Sequence, residues 1–149
     1  MNAVIPRKRW LSVLAGSSAK ALSQRWQSLN LAPQYSVVRA PEIGLTRLQA
    51  RIGATGKRFV MGDMTITRAV IRLENGICGY SYVSGRDKDH AERCAIIDAM
   101  LQQPEYHDLV HHHIIAPLAE MREADRQQRA REVASSKVDF FTLVRGENE

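Results

Sequence analysis

Cysteine is nearly absent from this chain: Cys78 and Cys94 are the only two in 149 residues. They form no spaced framework, which excludes a disulfide-stapled scaffold and a four-cysteine zinc site. No apolar run approaches the ~18 residues that a membrane helix needs. The opening "MNAVIPRKRWLSVLAG" carries charge, but its apolar segment from Trp10 to Ala15 is too brief for a signal-peptide core. The expected compartment is therefore the cytoplasm, with no membrane association. Aromatic residues are sparse at 6%. No repeat of roughly 20–50 residues divides the chain, and no low-complexity linker does. What remains is an ordinary globular composition, 44% hydrophobic and 25% charged, with enough length for one domain and a real core.

The formal net charge is +5. That balance suits an anionic partner, and a basic nucleic-acid-binding module on an arginine face is one alternative reading, weakened because acidic residues interleave with the basic ones. The periodicity predicts an α+β domain over residues 1–149. Two N-terminal helices come first. Trp10, Val13 and Leu14 form the stripe of one. Leu22, Trp26 and Leu29 form the stripe of the other, which Ser17 or Ser18 caps. An antiparallel meander sheet of four to five strands follows, in the segments "QYSVVRA", "LTRLQARIG", "RFVMGD", "MTITRAVIRLE" and "ICGYSYV". Within it Thr46, Leu48, Ala50 and Ile52 should face the core, and Asn75-Gly76 should make a hairpin turn. C-terminal helices come next, broken at Pro104 and Pro117, the last of them polar nearly all round. An apolar extended tail, "KVDFFTLVRGENE", closes the chain and should dock on its own sheet or on another chain.

The stretch "GRDKDHAERCAIIDAM" opens like the zinc site of a nucleobase deaminase, with His90 as ligand and Glu92 as proton shuttle. That chemistry needs a downstream P-C-x-x-C, and no cysteine follows Cys94. His90 and Cys94 stand one helical turn apart and could share a metal only with a third ligand from elsewhere. The competing reading is a core-facing helix stripe of His90, Cys94, Ile97 and Leu101. "HDLVH" imitates the H-E-x-x-H zinc-peptidase motif through His107 and His111, but Asp108 is one methylene short of the usual general base. A small metal-dependent hydrolase on His90/Cys94 or His107/His111 is thus the rival enzyme reading. "GATGKR", Gly53 to Arg58, lacks the length and the Ser/Thr of a P-loop and reads as a hairpin turn. Arg47, Arg51, Arg68 and Arg72 recur at two-residue multiples, and in register they would make one basic sheet face. Arg86, Lys88, His90 and Arg93 surround a helix start whose free amides could meet an anion, with Asp87 and Asp89 opposing it. None of these completes a catalytic set.

Taken in order, "GLTRLQARIGATGKRFVMGDMTITRAVIRL", "GYSYVSGRDKDHAERCAIIDAMLQ", "IIAPL" and "SKVDFFTLVRGEN" resemble the PhnG subunit family of bacterial carbon–phosphorus lyase systems. The likeness runs from Trp10 to near the C-terminus. "GRDK-HAERCA-IDA" and "VDFFT-VRG" are its most specific parts, and the triple histidine at His111 to His113 is no part of it. The resemblance implies an accessory subunit in organic phosphonate catabolism. With PhnH-, PhnI- and PhnL-like proteins it would serve the transfer of ribose triphosphate from MgATP to methylphosphonate, with release of adenine. It also implies a hetero-oligomeric core with PhnH-, PhnI- and PhnJ-like subunits. There the PhnJ-like lyase would carry the iron–sulfur cluster and use S-adenosylmethionine, and the PhnI-like subunit would supply the nucleosidase-like chemistry. No catalytic, metal or cofactor-binding residue carries over onto this chain, so no bound cofactor is expected in it. Arg86, Lys88, Glu92 and Arg93 at the helix start are expected to contact a partner or an anion. Phe140 and Phe141 in the tail, and the helix around Met121, are expected at an interface.

Overall fold

The computed structural model describes residues 6–137. Helices α1 (Arg7–Ala15) and α2 (Ala19–Leu29) precede strands β1 (Tyr35–Arg51), β2 (Arg58–Leu73) and β3 (Cys78–Ser84). Helix α3 (Lys88–Leu101) follows, then α4 (Pro104–Val110). A π-helical turn at His111–Ile115 leads from α4 into α5 (Ala116–Ser135). The sheet is antiparallel in the order β1-β2-β3. The α+β order of helices, meander and helices is the expected one.

The strand count is a correction: three long strands replace the expected four to five. "QYSVVRA" and "LTRLQARIG" are one strand, β1, which runs through Pro41. β1 is an edge strand, so the missing proline N–H costs no ladder bond, and register shifts between Arg39 and Glu42 absorb the ring. "RFVMGD" and "MTITRAVIRLE" likewise merge into β2, with a further register shift at Leu48/Gln49, where Gly62 takes φ 147°. The Asn75-Gly76 turn joins β2 to β3 as expected, with Gly76 at φ 89°.

One sheet face packs on α3. Thr67, Ala69, Ile71 and Val83 meet a helix that is buried continuously from Cys94 to Leu101. The expected stripe of His90, Cys94, Ile97 and Leu101 is buried. α3 is nonetheless central rather than amphipathic, enclosed by the sheet on one side and by α1, α2 and α4 on the others. Trp10, Leu14, Leu22, Val110, Ile114 and Leu118 complete the core.

Beyond the last β2–β3 pair, Ile66 with Ser84, the β1–β2 ribbon continues alone from Leu45/Thr65 to Arg51/Arg58. The apolar alternation expected there is real, but no third strand or helix lies beneath it. Leu48 is 37% exposed and Ile52 65%, so their expected core position is corrected to an uncovered arm. "GATGKR" forms the tip turn, with Gly53 and Ala54 at positive φ. The single arginine face is also corrected. Arg47 shares a face with Ile43 and Thr67, whereas Arg68 and Arg72 lie on the opposite, outer face. On the far side of the molecule α5 is exposed at every residue from Glu120 onward, Met121 included.

Candidate functional site

The most concentrated polar chemistry lies at Asp98, fully buried in the last turn of α3. Its Oδ1 accepts from Arg7 Nε at 3.1 Å and from Trp10 Nε1 at 2.9 Å. Its Oδ2 accepts from Arg7 Nη2 at 2.6 Å, from the Tyr80 backbone N–H at 2.9 Å and from Gln102 Nε2 at 3.4 Å. The Arg7 guanidinium sits over the Tyr80 ring, 5.3 Å from its centroid. The hydrogen bond to Asp98 raises the Arg7 pKa, against the opposing pull of burial. One carboxylate thus ties α1, β3 and α3 together, and every lone pair that burial strips of water has a donor. This is a structural hub rather than a reacting centre.

At the start of α3, Asp87 accepts from the His90 N–H at 2.9 Å and caps the helix. That cap occupies the amide an anion would use. Arg86 and Lys88 are exposed, while Glu92 and Arg93 are half-buried. Glu92 accepts from the Tyr35 hydroxyl at 3.0 Å, and with Arg93 it borders a hollow beside Trp26, Tyr35 and Ile96. The expected contact residues therefore divide, two facing solvent and two tied to the β1 start and the α2 end. Phe140 and Phe141 lie outside the described residues.

The metal-ligand pairs are placed as follows. Cys94 Sγ stands 3.8 Å from His90 Nε2 and 3.8 Å from the Leu14 carbonyl oxygen. Burial pushes the Cys94 thiol up to about 12, so it is protonated and a poor ligand. His107 donates its Nδ1–H to the Leu101 carbonyl at 2.8 Å and presents its ring edge-on to Trp10. It stacks on His111 with ring centroids 6.0 Å apart. Among the described residues no group of three His, Cys, Asp or Glu comes together that could hold a metal ion. Each pair remains two ligands, short of the three that a catalytic zinc needs.

Burial lowers the pKa of His90, and burial followed by repulsion from His107 and His112 lowers that of His111. The fold favours the neutral form of both rings, so as pH falls the unfolded chain binds protons first. Stability is then full above the ordinary histidine pKa of 6.5 and declines as pH falls below it. The denaturant midpoint should be lower at about pH 5.5 than at about pH 7.5, and His90→Gln should flatten part of that difference. An equal loss in wild type and variant would show that His90 is not the group responsible.

Sequence reasoning missed Asp98 and Arg7. The signal was present: Asp98 is the one charged residue in "CAIIDAML". A charge inside a run that apolar marks a buried, paired group.

Two comparisons bear on this arrangement. The family model for the phosphonate metabolism protein PhnG matches residues 5–146. A protein of Rhizobium meliloti (strain 1021), named alpha-D-ribose 1-methylphosphonate 5-triphosphate synthase subunit PhnG, is 34% identical over 148 residues. The alignment covers 97% of this chain and 92% of that protein. Both matches run through the arm, the Asp98 helix and α5. The chain belongs to the PhnG family of phosphonate metabolism proteins.

Proposed function

We propose that this chain is a non-catalytic subunit of an alpha-D-ribose 1-methylphosphonate 5-triphosphate synthase, acting in the cytoplasm in organic phosphonate catabolism. The name of the Rhizobium meliloti relative supports the activity, and the uncovered β1–β2 arm supports the role. In this reading MgATP is a substrate of the assembly, and this chain holds no cofactor of its own. The transfer chemistry resides in a PhnI-like partner, in an assembly with PhnH- and PhnJ-like subunits and a PhnL-like protein. The iron–sulfur cluster and S-adenosylmethionine belong to the PhnJ-like lyase.

The observation that carries the subunit role is the arm. Leu48, Ala50 and Phe59 share one face of a two-stranded ribbon, with Leu48 37% and Phe59 42% exposed. A two-stranded ribbon is marginal on its own in water, and an uncovered apolar face of this kind marks a surface completed by another chain. The arm spans about 20 residues, close to the ~20–30 that one side of a standard interface contributes. Its tip carries Arg47, Arg51, Lys57 and Arg58 against Asp63, so a partner with acidic residues around an apolar seat fits it.

The test is co-purification with the partner subunits. Leu48→Asp with Phe59→Asp should weaken the assembly by about 30-fold or more, the scale of a hot-spot loss of ~2 kcal/mol. The melting temperature of the isolated chain should fall only modestly, because Leu48 and Phe59 lie outside the core and are each more than a third exposed; circular dichroism of the isolated variant checks that it folds. An assembly that survives the double change intact would remove the arm from the interface. A chain that co-purifies with no partner at all would remove the subunit reading itself.

A further inference from the structure

The outer edge of β3 is closed along half its length and open along the other half. Successive residues of a strand turn their backbone groups to alternate sides, and the even-numbered residues of β3 face away from β2. At the first half α3 covers that edge. Gln102 donates to the Cys78 carbonyl at 2.8 Å, and Asp98 accepts the Tyr80 N–H. At the second half the Tyr80 carbonyl and both backbone groups of Tyr82 point outward, and no described residue bonds to them. Unpaired edge groups of this kind are a template for another strand.

A groove of about 370 Å³ runs along this open half. On its inner side lie Leu11, Leu14, Ala15 and Cys94, an apolar wall that α1 and α3 provide. On its outer side lie Tyr80, Tyr82, Arg39 and Arg68. Both guanidiniums reach a single carboxylate, Glu42, at 3.5 Å and 2.6 Å, which leaves one positive charge in excess. Ser81 lines the groove between the two sides. It is 7% exposed, and its hydroxyl is the one buried side-chain polar atom without a hydrogen-bond partner among the described residues. A satisfied native interior leaves few such atoms.

We propose that this groove receives an extended segment of a partner subunit, which adds to β3 as a further strand. The inference rests on the subunit reading above and adds a second site, on a different element from the arm. The occupant's chemistry follows from the walls. Its backbone pairs with Tyr82. Side chains alternate along it, so an apolar residue enters the pocket behind Ala15 while its neighbours lie over Tyr82. A carboxylate among those neighbours meets the charge that Glu42 leaves uncompensated on Arg39 and Arg68.

Tyr82→Pro tests this within the co-purified assembly. It removes the outward N–H while the β2–β3 ladder, which uses odd-numbered β3 residues, stays intact. Tyr82→Ala removes the same ring and keeps the N–H. The proline variant should hold the partner subunits at least about tenfold more weakly than the alanine variant. Ala15→Trp, which fills the groove without touching the strand, should have the same effect as Tyr82→Pro. Circular dichroism of each isolated variant checks that it folds. If the folded proline and tryptophan variants both keep wild-type affinity, the proposal is overturned. It is equally overturned if Tyr82→Pro abolishes self-association instead, or if native mass spectrometry finds a small molecule released by Ala15→Trp. Loss of the assembly in the arm variant, with none in these two, would keep the subunit role and remove only the groove.

Discussion

Asp98→Ala is expected to remove a large fraction of the stability of this protein. Arg7 would lose both of its hydrogen bonds to a carboxylate with no solvent exposure, and the Trp10 indole N–H and the Tyr80 amide would lose their acceptor. Breaking a buried charge pair from one side costs about 3–5 kcal/mol, because the remaining partners are stranded. Arg7 can recover part of that by turning to solvent, as its side chain is 40% exposed, but Trp10 and the Tyr80 amide cannot. Against the roughly 5–15 kcal/mol that holds an ordinary domain together, this is a large fraction. Urea titration of the isolated chain checks it. A midpoint close to wild type would mean that the hub contributes little. Asp98→Asn keeps the size and one acceptor, and should fall between wild type and alanine.

Gly79→Ala is the second large effect, and it acts through backbone. A Cβ at residue 79 would overlap the carbonyl oxygen of Ala95 and stand 2.9 Å from both the Ala95 carbonyl carbon and the Ala99 Cβ. The obstacle is the α3 main chain, which cannot swing aside as a side chain can. α3 must lift from β3, and that pulls Asp98 away from Tyr80. The cost belongs at the upper end of the overpacking range, about 3 kcal/mol, or a melting-temperature loss of roughly 6–12 °C for a chain of this size. Ala99→Gly in the same chain removes one of the contacts and leaves the carbonyl in place, so it should not rescue. A full rescue would show that the methyl, not the main chain, sets the approach.

Much of this fold was legible before any coordinates. The Trp10 and Leu22 stripes, the Asn75-Gly76 turn and the break at Pro104 each state a local rule that the structure obeys, whereas the break expected at Pro117 is corrected: the chain stays helical through the π-turn at His111–Ile115 and Pro117 sits in the first turn of α5. What alternation could not convey is whether anything lies beneath an apolar face. Leu48 alternates as regularly as Ile71 does, but Ile71 is fully buried against α3, whereas Leu48 lies on the Glu42 and Arg68 face of the uncovered arm and Ile52 falls in its tip turn. Periodicity reports that side chains alternate; which of the two faces is covered, and whether anything covers it, is a tertiary fact. Pro41 misled in the opposite sense. It reads as the end of a strand, and only the edge position of β1 lets the chain pass through it. The functional residues were less legible still. His-Ala-Glu and the histidine run stand out by composition, but His90 is buried beside Cys94, Glu92 is tied to Tyr35, and His112 and His113 face solvent. The open half of β3 depends on where α1 and α3 stop, which no local pattern encodes.

The hub has one more consequence, for the order of events during synthesis. Arg7 and Trp10 precede Asp98 by 91 and 88 residues. At ordinary translation rates α1 leaves the ribosome roughly 5–20 s before the residue it docks on. The arm, by contrast, pairs neighbours across one tight turn and can close as soon as Leu73 emerges. The nascent chain therefore passes through a stage with its first helix bare of the strand and helix it docks on. The Trp10, Val13 and Leu14 face is then open to whatever chaperone or partner chain is nearby. Family members expressed with their partners should gain in yield over the same chain expressed alone, and the gain should be largest when Asp98 is weakened.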